Sequence, residues 1–152
     1  MMNDLTTFDF QDGMPAVAAH RHSNGGGWVA DTAMVSATAY LGPDARVCGT
    51  ARVYGSAWVS GTAEVYGRAE VYGNAGVYGN ARVYGNARVY DSAWVSGDAW
   101  VYGDAWVYDN ARVSSMARVY GHAEVYGDGR VYDTTEVYGN ASVAGNAMLS
   151  SS

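Results

Sequence analysis

Ala81-Arg82-Val83-Tyr84-Gly85-Asn86 is followed at once by Ala87-Arg88-Val89-Tyr90-Asp91-Ser92, the same six-residue phrase with its last two positions changed. The phrase continues in both directions. Every sixth residue from Val29 to Leu149 is aliphatic, 21 positions that are all Val or Leu. Four residues after each aliphatic comes a small one. Of the 20 such positions from Ala33 to Ala147, 18 are Ala, with Gly129 and Thr135 the exceptions. No insertion or deletion interrupts about 120 residues. A period of 6 with a recurrent Gly excludes an α-helix, whose period is about 3.6.

The phrase translates into a strand and a corner. Within Ala-x-Val-Tyr the side chains alternate, so Ala and Val face inward while x and Tyr face outward. Gly-Asn tolerates the unusual backbone angles of a sharp corner. Three sides close a triangle of 18 residues, and coils stack at about 4.8 Å. The expected fold is all-β: a single-stranded parallel β-helix, triangular, of about seven coils of 18 residues.

Outward residues 18 apart support the three-sided coil. Tyr66, Tyr84, Tyr102, Tyr120 and Tyr138 share one column, and Tyr54, Tyr72, Tyr90, Tyr108 and Tyr126 a second. The third reads Ser60, Tyr78, Ser96, Ser114, Tyr132. The other outward slot alternates in charge, as Arg46, Glu64, Arg82 on one side and Arg52, Glu70, Arg88 on the next. Such neighbours attract by about 0.2–1 kcal/mol across strands, with little net stability where exposed.

Composition narrows the function classes. The 152 residues include 20 Gly and 13 Tyr, and all 9 basic side chains are Arg. Cys48 is the only cysteine, so no disulfide forms within the chain. No apolar run approaches the roughly 18–20 residues of a membrane span. Met1 to Phe10 has no basic residue and no apolar stretch of the kind a secretory signal needs, so the expectation is a cytoplasmic protein, or one carried in a virion. A net charge of −6 disfavours nucleic-acid binding.

The six-residue spacing with Gly-Asn or Gly-Asp before Ala resembles the hexapeptide repeat of left-handed parallel β-helix proteins. Gly26-Gly27-Trp28-Val29, followed by Val47-Cys48-Gly49-Thr50-Ala51-Arg52-Val53-Tyr54-Gly55, is similar to a subgroup of bacterial and phage genomes labelled transferase-like. Tyr after the aliphatic departs from the broader family, which prefers Gly, Ala, Asp or Glu. Bactofilin-like filament proteins wind a similar triangle with the opposite hand; the resemblance here implies a left-handed coil. It also implies homotrimers packed side by side, and an acyltransferase as the enzyme hypothesis.

That chemistry needs a general-base His beside a loop covering the acyl donor. The repeats contain no such loop. His122 is the weak catalytic candidate, and it occupies a corner slot held mostly by Asn, Asp, Ser or Thr. A γ-type carbonic anhydrase would need three metal-binding His. His20 and His22, two apart on an extended segment, share a face and are weak metal candidates. His122 lies more than five coils away. No catalytic set, no metal and no cofactor are therefore expected.

Residues 1–27 form a non-repetitive lead-in, read as a cap in which Phe8 and Phe10 cover the first coil, or as a docking arm. Residues 28–152 form the hexapeptide-repeat β-helix. An open end of such a coil invites association.

The surface is where function is expected. Trp94, Trp100 and Trp106 fall on successive sides and form a belt. Trp58 and Trp94 share the third side, with Gly76 between them and Tyr78 beside Gly76, leaving a shallow depression about 10 Å long. Exposed aromatic surface marks contact sites. The leading reading is a non-enzymatic structural or interaction protein, phage- or prophage-associated, that binds itself (a trimer) or a protein partner through aromatic faces. The alternatives are an acyltransferase-like enzyme at an inter-subunit cleft, and an inhibitor or ligand-binding decoy of a host protein. Alternating Arg and acids argue against a DNA mimic, and Thr at corners argues against ice binding. Carbohydrate on aromatic platforms is a further candidate partner.

Overall fold

A computed structural model describes residues 6–151; Met1–Leu5 of the lead-in and Ser152 lie outside them. The repeat folds as its period requires. From Trp28 onward, each phrase forms one short strand at its x-Val step, as in Arg82–Val83. Successive strands turn onto three sides in rotation, giving parallel sheets with a register advance of one coil: Val83 pairs with Val65 below and Val101 above. The first side belongs to a sheet of nine strands and the other two sides to sheets of seven. The result is a parallel β-solenoid of about seven turns, with no helix among the described residues.

Backbone bonds run from coil to coil. Arg82 N donates to Ala99 O at 3.0 Å, Tyr84 N to Val101 O at 3.0 Å and Asn86 N to Gly103 O at 2.7 Å. Ala and Val fill the interior. From Val47 to Val125 every Val of the aliphatic slot is fully buried. Each such burial stabilises by roughly 1.5–3 kcal/mol. Larger residues have no room, because three walls meet around one narrow axis.

The corners set the close approach of coils. Gly121 has φ +68, and a Cβ built there would sit 2.9 Å from Gly139 N. Asp91 and Asp109 adopt the same left-handed angles, φ 57 and φ 58. Asp91 Oδ2 accepts Asp109 N at 3.4 Å, and Asp109 Oδ2 accepts Gly127 N at 3.0 Å. A carboxylate at this corner thus takes the N–H of the corner above, which offsets the strain of a non-glycine residue there.

The lead-in folds back as a meander. Strand β1 (Thr7–Phe8) pairs antiparallel with β2 (Val17–Arg21), and β2 pairs antiparallel with β3 (Trp28–Ala30), the first strand of the first side. The turn after β2 crosses to the third side. There Leu41 N donates to Asn24 O at 2.9 Å, and Gly27 N donates to Leu41 O at 3.1 Å. His22 Nε2 donates to Ala39 O at 2.8 Å and is buried. Backbone and His22 therefore occupy the edges of the first coil. Phe8 and Phe10 lie on the flank instead of the end. Phe8 stacks on Trp28 at 4.6 Å, and Phe10 is buried with Ala19, Ala30 and Cys48.

Candidate binding face

The three sides carry different outer surfaces. On the first, Tyr66 to Tyr138 stack in one ladder, with ring centroids 4.8 to 5.4 Å apart. On the second, Tyr54 to Tyr126 stack at 4.8 to 5.1 Å. Near-parallel rings at this spacing occupy each other's faces and turn edges and hydroxyls outward. Some hydroxyls are committed: Tyr108 donates to Glu124 Oε1 at 2.9 Å and Tyr120 to Glu136 Oε1 at 2.8 Å. Burial and then the Glu124 hydrogen bond push the Tyr108 phenol up, and burial pushes Tyr90 up to about 12. Part of the charge on these sides pairs internally, with Glu64 3.9 Å from Arg46 and 3.7 Å from Arg82, and Glu70 3.9 Å from Arg88.

The third side differs. Its Tyr column is broken by Ser60, Ser96 and Ser114, so the indoles beside it stand clear. Trp58 is 51% exposed and Trp94 42%. Trp58 stacks on Tyr40 at 4.0 Å. Trp94 meets Tyr78 edge-on at 6.0 Å and lies under the Arg112 guanidinium at 4.9 Å. Arg112 and Arg130 are direct neighbours across adjacent strands. Neither has a carboxylate partner among the described residues. Two adjacent guanidiniums without a carboxylate repel each other, a like-charge cross-strand pair that costs stability.

The expected depression over Gly76 is filled. Gly76 is buried, and a Cβ placed there would lie 3.6 Å from Trp94 Cδ1. With no side chain at position 76, the Trp94 indole leans into the space and stays partly packed, which an exposed upright ring would not. Trp58, Gly76, Tyr78 and Trp94 therefore share one side, with Trp94 reaching from its own rung over Gly76 toward the Trp58 rung. Trp100 and Trp106 do not join it. They face outward from the first and second sides, with Arg118 4.5 Å above Trp100 and Arg88 5.4 Å from Trp106.

The histidines stay apart. His20 Nδ1 lies 2.7 Å from Asp31 Oδ1 on the surface, and His22 is committed to Ala39 O. His122 is a corner residue, its ring 70% exposed and Nδ1 3.7 Å from Asp104 Oδ2. It borders an open recess of about 350 Å³ with Asn86, Arg88, Trp106 and Glu124. Among the described residues no group of three or more His, Cys, Asp or Glu could hold a metal.

A recess that the sequence did not announce lies beneath the lead-in. The folded-back lead-in and the first side enclose about 310 Å³ between Phe10, Asp12, Arg46, Cys48, Glu64 and Tyr66. Burial pushes the Cys48 thiol up to about 12 and the Tyr66 phenol to about 12. A signal was present in the sequence: Ala30 and Cys48 stand small at the head of the first Tyr column, where Phe10 needs room.

A family model described as the YdcK beta solenoid repeat matches residues 45–61 and 81–97. The two windows begin 36 residues apart (81 − 45), which is two coils of the observed solenoid. The chain is a β-solenoid repeat protein. Nothing among curated proteins or solved structures matches this solenoid chain.

Proposed function

We propose that this solenoid is a non-enzymatic scaffold that binds protein through its third side. One observation carries the reading: Trp58 and Trp94, the two most exposed tryptophans, share one side with the like-charged neighbours Arg112 and Arg130, whereas on the other sides Glu64 and Glu70 pair with Arg46, Arg82 and Arg88. Trp, Tyr and Arg are the residues that dominate protein contacts. The rigid backbone supports this role, because a binding strip on continuous strands needs no ordering on contact. Carbohydrate stacking fits less well, since Tyr40 takes one face of Trp58 and Arg112 one face of Trp94. An acyltransferase fits less well too, since His122 is a solvated corner residue in an open recess.

The test is a light-scattering and partner-binding comparison of the native chain with Trp58→Ser/Trp94→Ser. Loss of assembly or partner binding, with an unchanged unfolding midpoint, is expected. Retention of both would overturn the proposal.

A further inference from the structure

We infer that the third side binds a second copy of this chain, antiparallel, about a twofold axis running along the Trp94–Val95 strand. The inference rests on the third side being a contact surface and adds the occupant and its register. The rungs of this side are known from strand pairing: Tyr40, Trp58 and Gly76 lie below Trp94, and Arg112, Arg130 and Met148 above it. Rotation about the Trp94 strand exchanges the two halves. Trp94 then meets the partner's Trp94. Trp58 meets the partner's Arg130, and Gly76, roofed by the Trp94 indole, meets the partner's Arg112. Tyr40 meets the partner's Met148. Arg130 thereby gains an aromatic neighbour, and Arg112, already over Trp94 of its own copy, meets a second indole, a favourable contact when water is excluded.

The neighbouring row matches by size. Backbone bonds place Ser60, Tyr78, Ser96, Ser114 and Tyr132 on consecutive rungs. Under the same rotation Tyr78 meets the partner's Ser114, Tyr132 meets the partner's Ser60, and Ser96 meets itself. A bulky ring faces a small residue in each mixed pair. A twofold interface needs such self-complementarity. The first side lacks it: rotation about its Arg82 strand would set Arg46 against Arg118, and Tyr against Tyr.

The alternative of parallel packing, as in a side-by-side trimer, keeps equal rungs at equal height. It would gather Arg112 and Arg130 of every copy at one level. Antiparallel packing separates the two Arg112 residues by two rungs, about 10 Å along the axis. The area is modest. Six rung spacings of about 4.8 Å and a side roughly 16 Å wide give about 450 Å² per copy. The total of roughly 900 Å² approaches the lower bound near 1,000 Å² for a specific interface. The expected dimer is reversible, with Kd of about 1–100 µM.

The test uses single cysteines in a Cys48→Ala background of the full chain, a bis-maleimide spanning about 10 Å, the spacing of packed sheets, and sedimentation equilibrium. Ser96→Cys sits on the axis and is expected to cross-link at least tenfold more than Ser60→Cys, whose partner copy lies about 19 Å away along the axis. Ser60→Cys/Tyr132→Cys is expected to restore cross-linking. Equal cross-linking of Ser96→Cys and Ser60→Cys, in an assembly that Trp94→Glu dissolves, overturns the antiparallel register but keeps the third side as the contact. An assembly indifferent to Trp94→Glu overturns both. A chain monomeric to 1 mM (roughly tenfold above the expected Kd range) overturns the dimer, and binding of a different protein lost in Trp94→Glu would then still support the third side.

Discussion

Replacing a corner glycine by alanine separates two strains that usually occur together. Gly121 and Gly139 are consecutive members of one corner column, with φ +68 and +64. A Cβ at 121 would lie 2.9 Å from Gly139 N and 3.2 Å from its O, whereas a Cβ at 139 meets nothing within 4 Å. Both alanines carry the left-handed penalty of about 1–2 kcal/mol. Both recover about 0.4–1 kcal/mol because alanine restricts the unfolded chain. Gly139→Ala should therefore destabilise by about 1 kcal/mol. Gly121→Ala must also push neighbouring coils apart against the backbone ladder that holds them, which adds an overpacking cost of about 1–3 kcal/mol. The difference, about 2 kcal/mol, corresponds to a midpoint gap near 1 M urea for a slope of about 2 kcal/mol/M. Urea titrations followed by tryptophan fluorescence and by circular dichroism measure it. Gly121→Asp supplies a control: a carboxylate there can accept the Gly139 N–H, as Asp109 accepts Gly127 N, and should recover about 1 kcal/mol. Equal destabilisation by the two alanines would refute the claim that coil approach, and not φ alone, demands glycine.

Further outcomes follow from the lead-in and the ladders. Phe10→Ala should raise the reaction rate of Cys48 with a thiol reagent at least tenfold, since Phe10 packs over the buried thiol; an unchanged rate would show that the lead-in does not guard it. His22→Ala should lower stability by about 1–2 kcal/mol through loss of its bond to Ala39 O, measured as an unfolding midpoint, with His22→Gln milder. Alkaline pH should destabilise the fold. Cys48 rises from 9.0 to about 12, and Tyr66 and Tyr90 from 10.0 to about 12. These acids hold their protons more tightly when folded, so the stabilisation is complete below pH 9 and is lost progressively between about 9 and 12. A flat stability profile across that window would contradict the burial assigned to them.

The fold was readable because a six-residue period leaves few alternatives, and because outward residues 18 apart sort themselves by side. The same columns set Trp58, Gly76 and Trp94 on one side. What escaped the sequence was rotameric and non-periodic. Nothing in the spacing says that Trp94 leans over Gly76 and closes the depression. Nor does spacing reveal that β2 and His22 take the first coil's edges while the two Phe take its flank. Contacts such as Phe10 with Cys48 join segments that share no pattern, and only the small residues at the head of the Tyr column mark them.

Hydroxyl-radical footprinting of the native chain, at concentrations below and above assembly or partner binding, tests the central claim most directly. Protection concentrated at Trp58, Trp94 and Tyr78, with Trp100 and Trp106 still oxidised, is the predicted result. Protection of Trp100 or Trp106 with Trp58 and Trp94 left reactive would contradict it.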